Sequence, residues 1–144
     1  MSLNNAFNKI LKQYIYKITG ITQMAITEKK TGDILGSFSK FASRRNMDIS
    51  GFSHTLYQLS KTQDKELDVN IFEFDSGEKL FTVSGGENVI VSAVSDKSVQ
   101  MGISRMYLKK LARGIDGQYK ELTKEDDPDN KDLAEIFQFI AKPR

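Results

Sequence analysis

His54 is the one imidazole in the chain and Ser53 stands beside it, so the first chemistry to weigh is a hydroxyl nucleophile with an imidazole base. Neighbouring helix positions point about 100° apart, so on a helix these two do not form that pair. His54 then reads as an ordinary surface or rim histidine. With a single histidine and no cysteine, ligands for zinc or copper are missing, as are disulfides and thiol nucleophiles.

Oxygen chemistry fares no better. Asp127, Asp129 and Asp132 suggest calcium, but Lys131 interrupts the alternation of ligands and no glycine supplies the sharp turn of an EF-hand loop. They read as a solvated acidic linker. Glu73 and Asp75 sit two apart on an expected strand and share a face, yet without a cleft or perturbing neighbour they read as exposed edge positions. Ser84-Gly85-Gly86-Glu87 lacks the lysine-serine pair and following helix of a phosphate-cradling loop, so it reads as a hairpin turn. Arg105, Lys109, Lys110 and Arg113 recur at helical spacing and could draw an acidic partner or phosphate groups, but they read first as the solvated face of an amphipathic helix. No enzyme, metal or cofactor is expected from these residues.

The 144 residues suit one ordinary domain, and 39% hydrophobic with 28% charged residues excludes wholesale disorder. A formal charge of +2, with basic residues scattered, does not point to nucleic acid. The sign is uneven: from Glu121 to Glu135 seven acids oppose Lys124 and Lys131. No apolar run approaches a membrane span, and Asn4, Asn5, Lys9 and Lys12 break up any signal-peptide core. A soluble cytoplasmic protein without membrane insertion is the expectation.

The elements that must position these residues follow from periodicity. Leu3, Phe7, Ile10, Leu11, Tyr14, Ile15 and Ile18 predict an amphipathic helix closed by Gly20. A strand from Ile21 to Glu28, a Lys30-Thr31-Gly32-Asp33 turn and a return strand from Ile34 to Ser39 come next. Asp48 or Ser50 can cap a helix whose apolar positions Ile49, Phe52, Leu56 and Leu59 form one narrow stripe, which predicts a half-exposed helix on the rim. Then come strands around Val69 and Ile71, around Leu80 to Val83, and from Asn88 to Val94, joined by glycine-bearing turns. The first and last strands of the chain are apolar on both parities and should be neighbours at the sheet centre. Asp96 or Ser98 can cap a long helix to Ile115, with Gly114 and Gly117 at its fraying end. Residues 120–130, with Pro128, read as a linker, and Leu133, Ile136, Phe137 and Ile140 define a short amphipathic helix that must find something to pack on. The expected fold is α+β: a single five-stranded antiparallel sheet flanked by helices in the order α-β-β-α-β-β-β-α, with an extra C-terminal helix. The domain spans residues 1–119 and the acidic linker with its helix spans 120–144.

This order resembles the Roadblock (dynein light-chain-like) domain over roughly Leu3 to Ile115. Gly20-Ile21 before a strand ending at Thr31-Gly32, the run Ile71-Phe72-Glu73-Phe74-Asp75-Ser76-Gly77, and Met101-Gly102-Ile103-Ser104-Arg105-Met106 leading into Leu108-Lys109-Lys110 carry the likeness. The resemblance implies a non-enzymatic dimeric module that scaffolds or regulates small Ras-like GTPases, or adapts motor and signalling complexes. It implies a homodimer, or a heterodimer with a related domain, through the middle helix and the strand after it, here Ile49, Phe52, Leu56, Leu59, Val69 and Ile71. Arg44, Arg45, His54, Tyr57 and Lys61 are the candidate partner surface. Two other readings share the layout of sheet and helices. A small-molecule sensor of the GAF or PAS type needs a pocket under the sheet, and a profilin-like actin binder usually has further strands where this chain has a long helix.

Overall fold

The computed structural model describes residues 3–41 and 48–124. Among them the order is α1 (Leu3–Lys17), β1 (Ile21–Glu28), β2 (Ile34–Ser39), α2 (Ile49–Thr62), β3 (Val69–Glu73), β4 (Lys79–Ser84), β5 (Val89–Ser95) and α3 (Met101–Lys124). The strands form one antiparallel sheet in the order β2-β1-β5-β4-β3. β1 and β5, apolar on both parities, lie side by side with β5 central, because only strands covered on both faces can bury both sets of side chains.

The two faces of the sheet are built differently. On one, α1 and α3 enclose the main core: Phe7, Ile10, Leu11 and Ile15 from α1, Leu108, Leu111 and Ile115 from α3, and Met24, Phe81 and Val91 from the sheet. Among the described residues the other face carries only α2, over a small apolar cluster of Ala25, Ile49, Leu80 and Val94. Ser50 and Ser53 of α2 are buried there, and the Ser53 hydroxyl lies 2.5 Å from Ser92 Oγ and 3.3 Å from Thr82 Oγ1. Ile49 and this seam of hydroxyls together hold α2 to the sheet.

Local signals explain most boundaries. Gly20 ends α1 at φ +90°, where a side chain would strain the backbone. Asp48 caps α2 by accepting from Gly51 N at 3.1 Å. Asp96 caps nothing directly; its carboxylate accepts from Ser98 N and Oγ and so shapes the turn before α3, which begins only at Met101.

α3 does not stop at Ile115. It runs through Gly114 and Gly117 to Lys124, because Ile115, Tyr119 and Leu122 continue the buried stripe and outweigh two glycines of low helix propensity. Residues 120–124, expected as linker, are therefore helical. The acidic stretch beyond them and the C-terminal amphipathic segment lie outside the described residues.

Candidate functional site

α2 displays an inverted pattern. It buries serines 50 and 53 and turns Phe52 and Leu59 outward, 41% and 58% exposed, with Leu56 half-buried between them. An isolated helix on a sheet would do the reverse, since burying a large apolar side chain stabilises by roughly 1.5–3 kcal/mol. Beside it the edge strand β3 alternates: Val69 and Ile71 pack toward the main core, whereas Phe72 and the residue two further on, Phe74, lie on the α2 side. The Phe52 and Phe72 rings meet edge to face at 5.2 Å. Asp48, Ile49, Phe52, Phe72, Phe74 and Leu80 line an open apolar groove of about 290 Å³ between α2 and the strands.

The six residues implied for a dimer interface are thus split. Phe52, Leu56 and Leu59 share the outward side of α2, while Ile49 is buried beneath it at 3% exposure. Val69 and Ile71 point to the opposite face of the sheet, so their side chains do not join that patch. Phe72 and Phe74 stand beside the outward side of α2 instead. The signal for them was the second parity of the same strand, which is apolar as well.

The two sheet edges are not equivalent. On β2, Ser37 N donates to Asn8 Oδ1 of α1 at 2.7 Å, so a side chain of the same chain takes up a donor there. β3 pairs with β4, and among the described residues no strand lies on its other side.

Next to this patch, at the end of the sheet, Lys29, Tyr57, Lys61, Lys65, Glu87 and Arg113 line part of a polar cleft of about 620 Å³. Lys29 is 6% exposed; its Nζ donates to Ser84 Oγ at 2.6 Å and to the Gly86 carbonyl, and lies 5.1 Å from the centre of the Tyr57 ring. Burial pushes its ammonium below the usual lysine range, a shift that Asp116, Glu66 and Glu87 partly offset. Lys61 Nζ covers the Tyr57 ring at 5.4 Å. His54 Nε2 lies 2.9 Å from the Lys29 carbonyl, which can only accept, so Nε2 carries the proton and donates. His54 thereby ties α2 to the end of β1, and its neighbour Ser53 is sealed in the hydroxyl seam. They do not meet as base and nucleophile. Arg44 and Arg45 lie outside the described residues.

Elsewhere the chemistry is structural. Ser84 to Glu87 form the β4–β5 hairpin turn, with Gly85 N donating to Val89 O at 2.9 Å. Gly85 sits so close to α3 that a Cβ would collide with the Ala112 carbonyl. Glu73 ends β3 opposite Lys79, and Asp75 lies in the exposed turn that follows. Among the described residues no three histidine, cysteine or acidic side chains cluster as metal ligands, and no helix is long and apolar enough to cross a membrane.

Tyr119, 8% exposed, donates its phenol to Glu28 Oε2. Burial and then that bond push its ionisation far above the ordinary 10.0. Above that value the unfolded chain releases the phenolic proton first, so the contribution of Tyr119 to stability is complete below pH 10.0 and declines as pH climbs toward the folded value. Urea unfolding between roughly pH 9 and pH 11 should show stability falling with pH, and Tyr119→Phe should remove part of that fall.

No protein-family model matches the chain, and no curated protein matches it. Solved structures do match its fold. A crystal structure of a Roadblock/LC7 domain from Streptomyces avermitilis superimposes with a TM-score of 0.65 at 10% identity, covering 78% of this chain and 97% of that one. Myxococcus xanthus MglB gives 0.63 at 15% identity, with 87% and 92% covered. The gliding protein MglB of Thermus thermophilus gives 0.56 at 13% identity, with 98% and 92% covered.

Proposed function

We propose that this chain, which has the Roadblock/LC7 fold, acts as a non-enzymatic cytoplasmic scaffold that pairs with a second copy or a related domain and presents a surface to a small Ras-like GTPase. The observation that carries the reading is the inverted α2: phenylalanine and leucine face outward, over an apolar groove, beside a sheet edge that has no neighbouring strand among the described residues. A second copy laid against α2 and β3 would extend the sheet across a twofold axis and bury those side chains in one step. The β2 edge is the poorer candidate, since Asn8 already meets one of its donors.

Several features support presentation rather than catalysis. Ser53 is sealed, His54 serves as a bracket, and Lys29 is committed to the hairpin turn. Tyr57 and Lys61 stand at the rim of α2 next to the polar cleft, where a GTPase bound across the pair would meet them.

Light scattering tests the pairing. The wild-type chain is expected at twice the monomer mass at micromolar concentration, and Leu56→Asp should lower that mass by leaving an unpaired carboxylate in the contact. Nucleotide-dependent co-elution with a small GTPase from the same cell tests the partner. A monomeric wild type that retains no GTPase in either nucleotide state would refute the proposal.

A further inference from the structure

The cations of the polar cleft reach it from four separate places: Lys29 just after β1, Lys61 in the last turn of α2, Lys65 in the loop beyond, and Arg113 on α3. No run of sequence gathers them; the fold does. Asp64 turns the chain at φ +52°, and Lys65 N donates to Ser60 O at 2.9 Å, so the loop after α2 closes back on the helix end. Lys29 and Lys61 then share one ring, their ammonium groups 5.1 and 5.4 Å from the centre of Tyr57.

Gathering like charges is unfavourable unless something opposite in sign answers them. The cleft itself answers weakly. Glu66, Asp68 and Glu87 line it too, but Asp68 binds Lys109 Nζ at 3.3 Å, and Glu66 and Glu87 act on Lys29 only at longer range. Among the described residues no carboxylate forms an ion pair with Lys29, Lys61, Lys65 or Arg113. Lys29 is also preorganised. It is 6% exposed, with two of its three N–H groups fixed by Ser84 Oγ and the Gly86 carbonyl, and among the described residues the third meets no oxygen or nitrogen acceptor.

We propose that this cleft binds a phosphate group, with buried Lys29 as the fixed donor and Lys61, Lys65 and Arg113 joining it from the exposed side. A phosphate carries close to two negative charges and several acceptor oxygens, which suits donors converging from separate elements better than one carboxylate does. Burial already disfavours the Lys29 ammonium, so an anion at its third N–H would stabilise the charged form. The cleft, about 620 Å³, falls in the usual range of small-molecule sites and leaves room for what the phosphate is attached to. All of these residues belong to one chain, so the site does not depend on pairing.

Inorganic phosphate, pyrophosphate and ADP, titrated into the full chain at constant ionic strength, test this by calorimetry and amide chemical shifts. Saturable binding is expected, with shifts at Lys29, Tyr57 and Gly86; tightest binding of phosphate or pyrophosphate marks the free anion as the ligand, and of ADP a nucleotide. Lys29→Met removes the fixed donor but also two bonds to the hairpin turn, so exposed side chains carry the test. Lys61→Gln with Arg113→Gln should weaken binding about tenfold or more, the factor for losing one charge-assisted hydrogen bond. Lys9→Gln with Lys12→Gln, which removes the same charge from the exposed side of α1, should leave it unchanged. No saturable binding of any of the three probes, or equal weakening in the two double variants, would overturn the proposal. Absent binding joined to weaker GTPase retention by Lys61→Gln with Arg113→Gln would overturn it in favour of an acidic side chain from a protein partner.

Discussion

Phe52→Asp is expected to dissociate the paired form, raising its dissociation constant roughly a hundredfold or more, the factor for about 3 kcal/mol. The size follows from what is buried. In the single chain Phe52 is 41% exposed and touches Phe72 at 5.2 Å, so an aspartate there can turn into water, and the folded monomer should lose only about 1 kcal/mol. Against a second α2, in the proposed pairing, the same carboxylate would be cut off from water. Sedimentation at several concentrations reads the dissociation constant, and thermal unfolding at high dilution reads the monomer. A fall in monomer stability as large as the loss of pairing would reassign Phe52 to the fold, and an unchanged dissociation constant would move the interface elsewhere.

Asp116→Ala should lower stability by about 3 kcal/mol, or about 10 °C in melting temperature. This carboxylate is 6% exposed on α3 and accepts from Asn88 N at 2.9 Å, Val89 N at 2.8 Å and Asn88 Nδ2 at 3.0 Å. It therefore pins the β4–β5 hairpin to the helix at the point where Gly85 lets the two backbones approach. Alanine removes the acceptor and leaves the Val89 N–H buried without one, while α3 itself prefers alanine. Asp116→Asn keeps one acceptor oxygen and should cost about half as much. Chemical denaturation of the three proteins checks the order, and equal midpoints would mean that water replaces the carboxylate.

How much of this was legible beforehand can be argued from single positions. The order of elements and the central placement of β1 and β5 were readable because their apolar residues fall on both parities, a pattern that few other environments tolerate. The stripe on α2 was readable as well, but not its inversion. Hydropathy cannot show that Ser53 goes inward, since that depends on Thr82 and Ser92, 29 and 39 positions further on, arriving opposite it from β4 and β5.

On β3 both parities are apolar, so periodicity alone could not say whether Val69 and Ile71 or Phe72 and Phe74 would face α2. Pairing with β4 decides it. The end of α3 was within reach: Ile115, Tyr119 and Leu122 keep the helical step, and weighing that step above Gly114 and Gly117 would have carried the helix to Lys124 and placed Asp116 inside it.

The Asn8–Ser37 bond on β2 has a bearing on how large an assembly can grow. A sheet with two sticky margins adds copies without limit and becomes a fibre. Here Asn8 of α1 takes up a donor on one margin, so in the proposed pairing growth through the other would end after a single addition and give a closed particle.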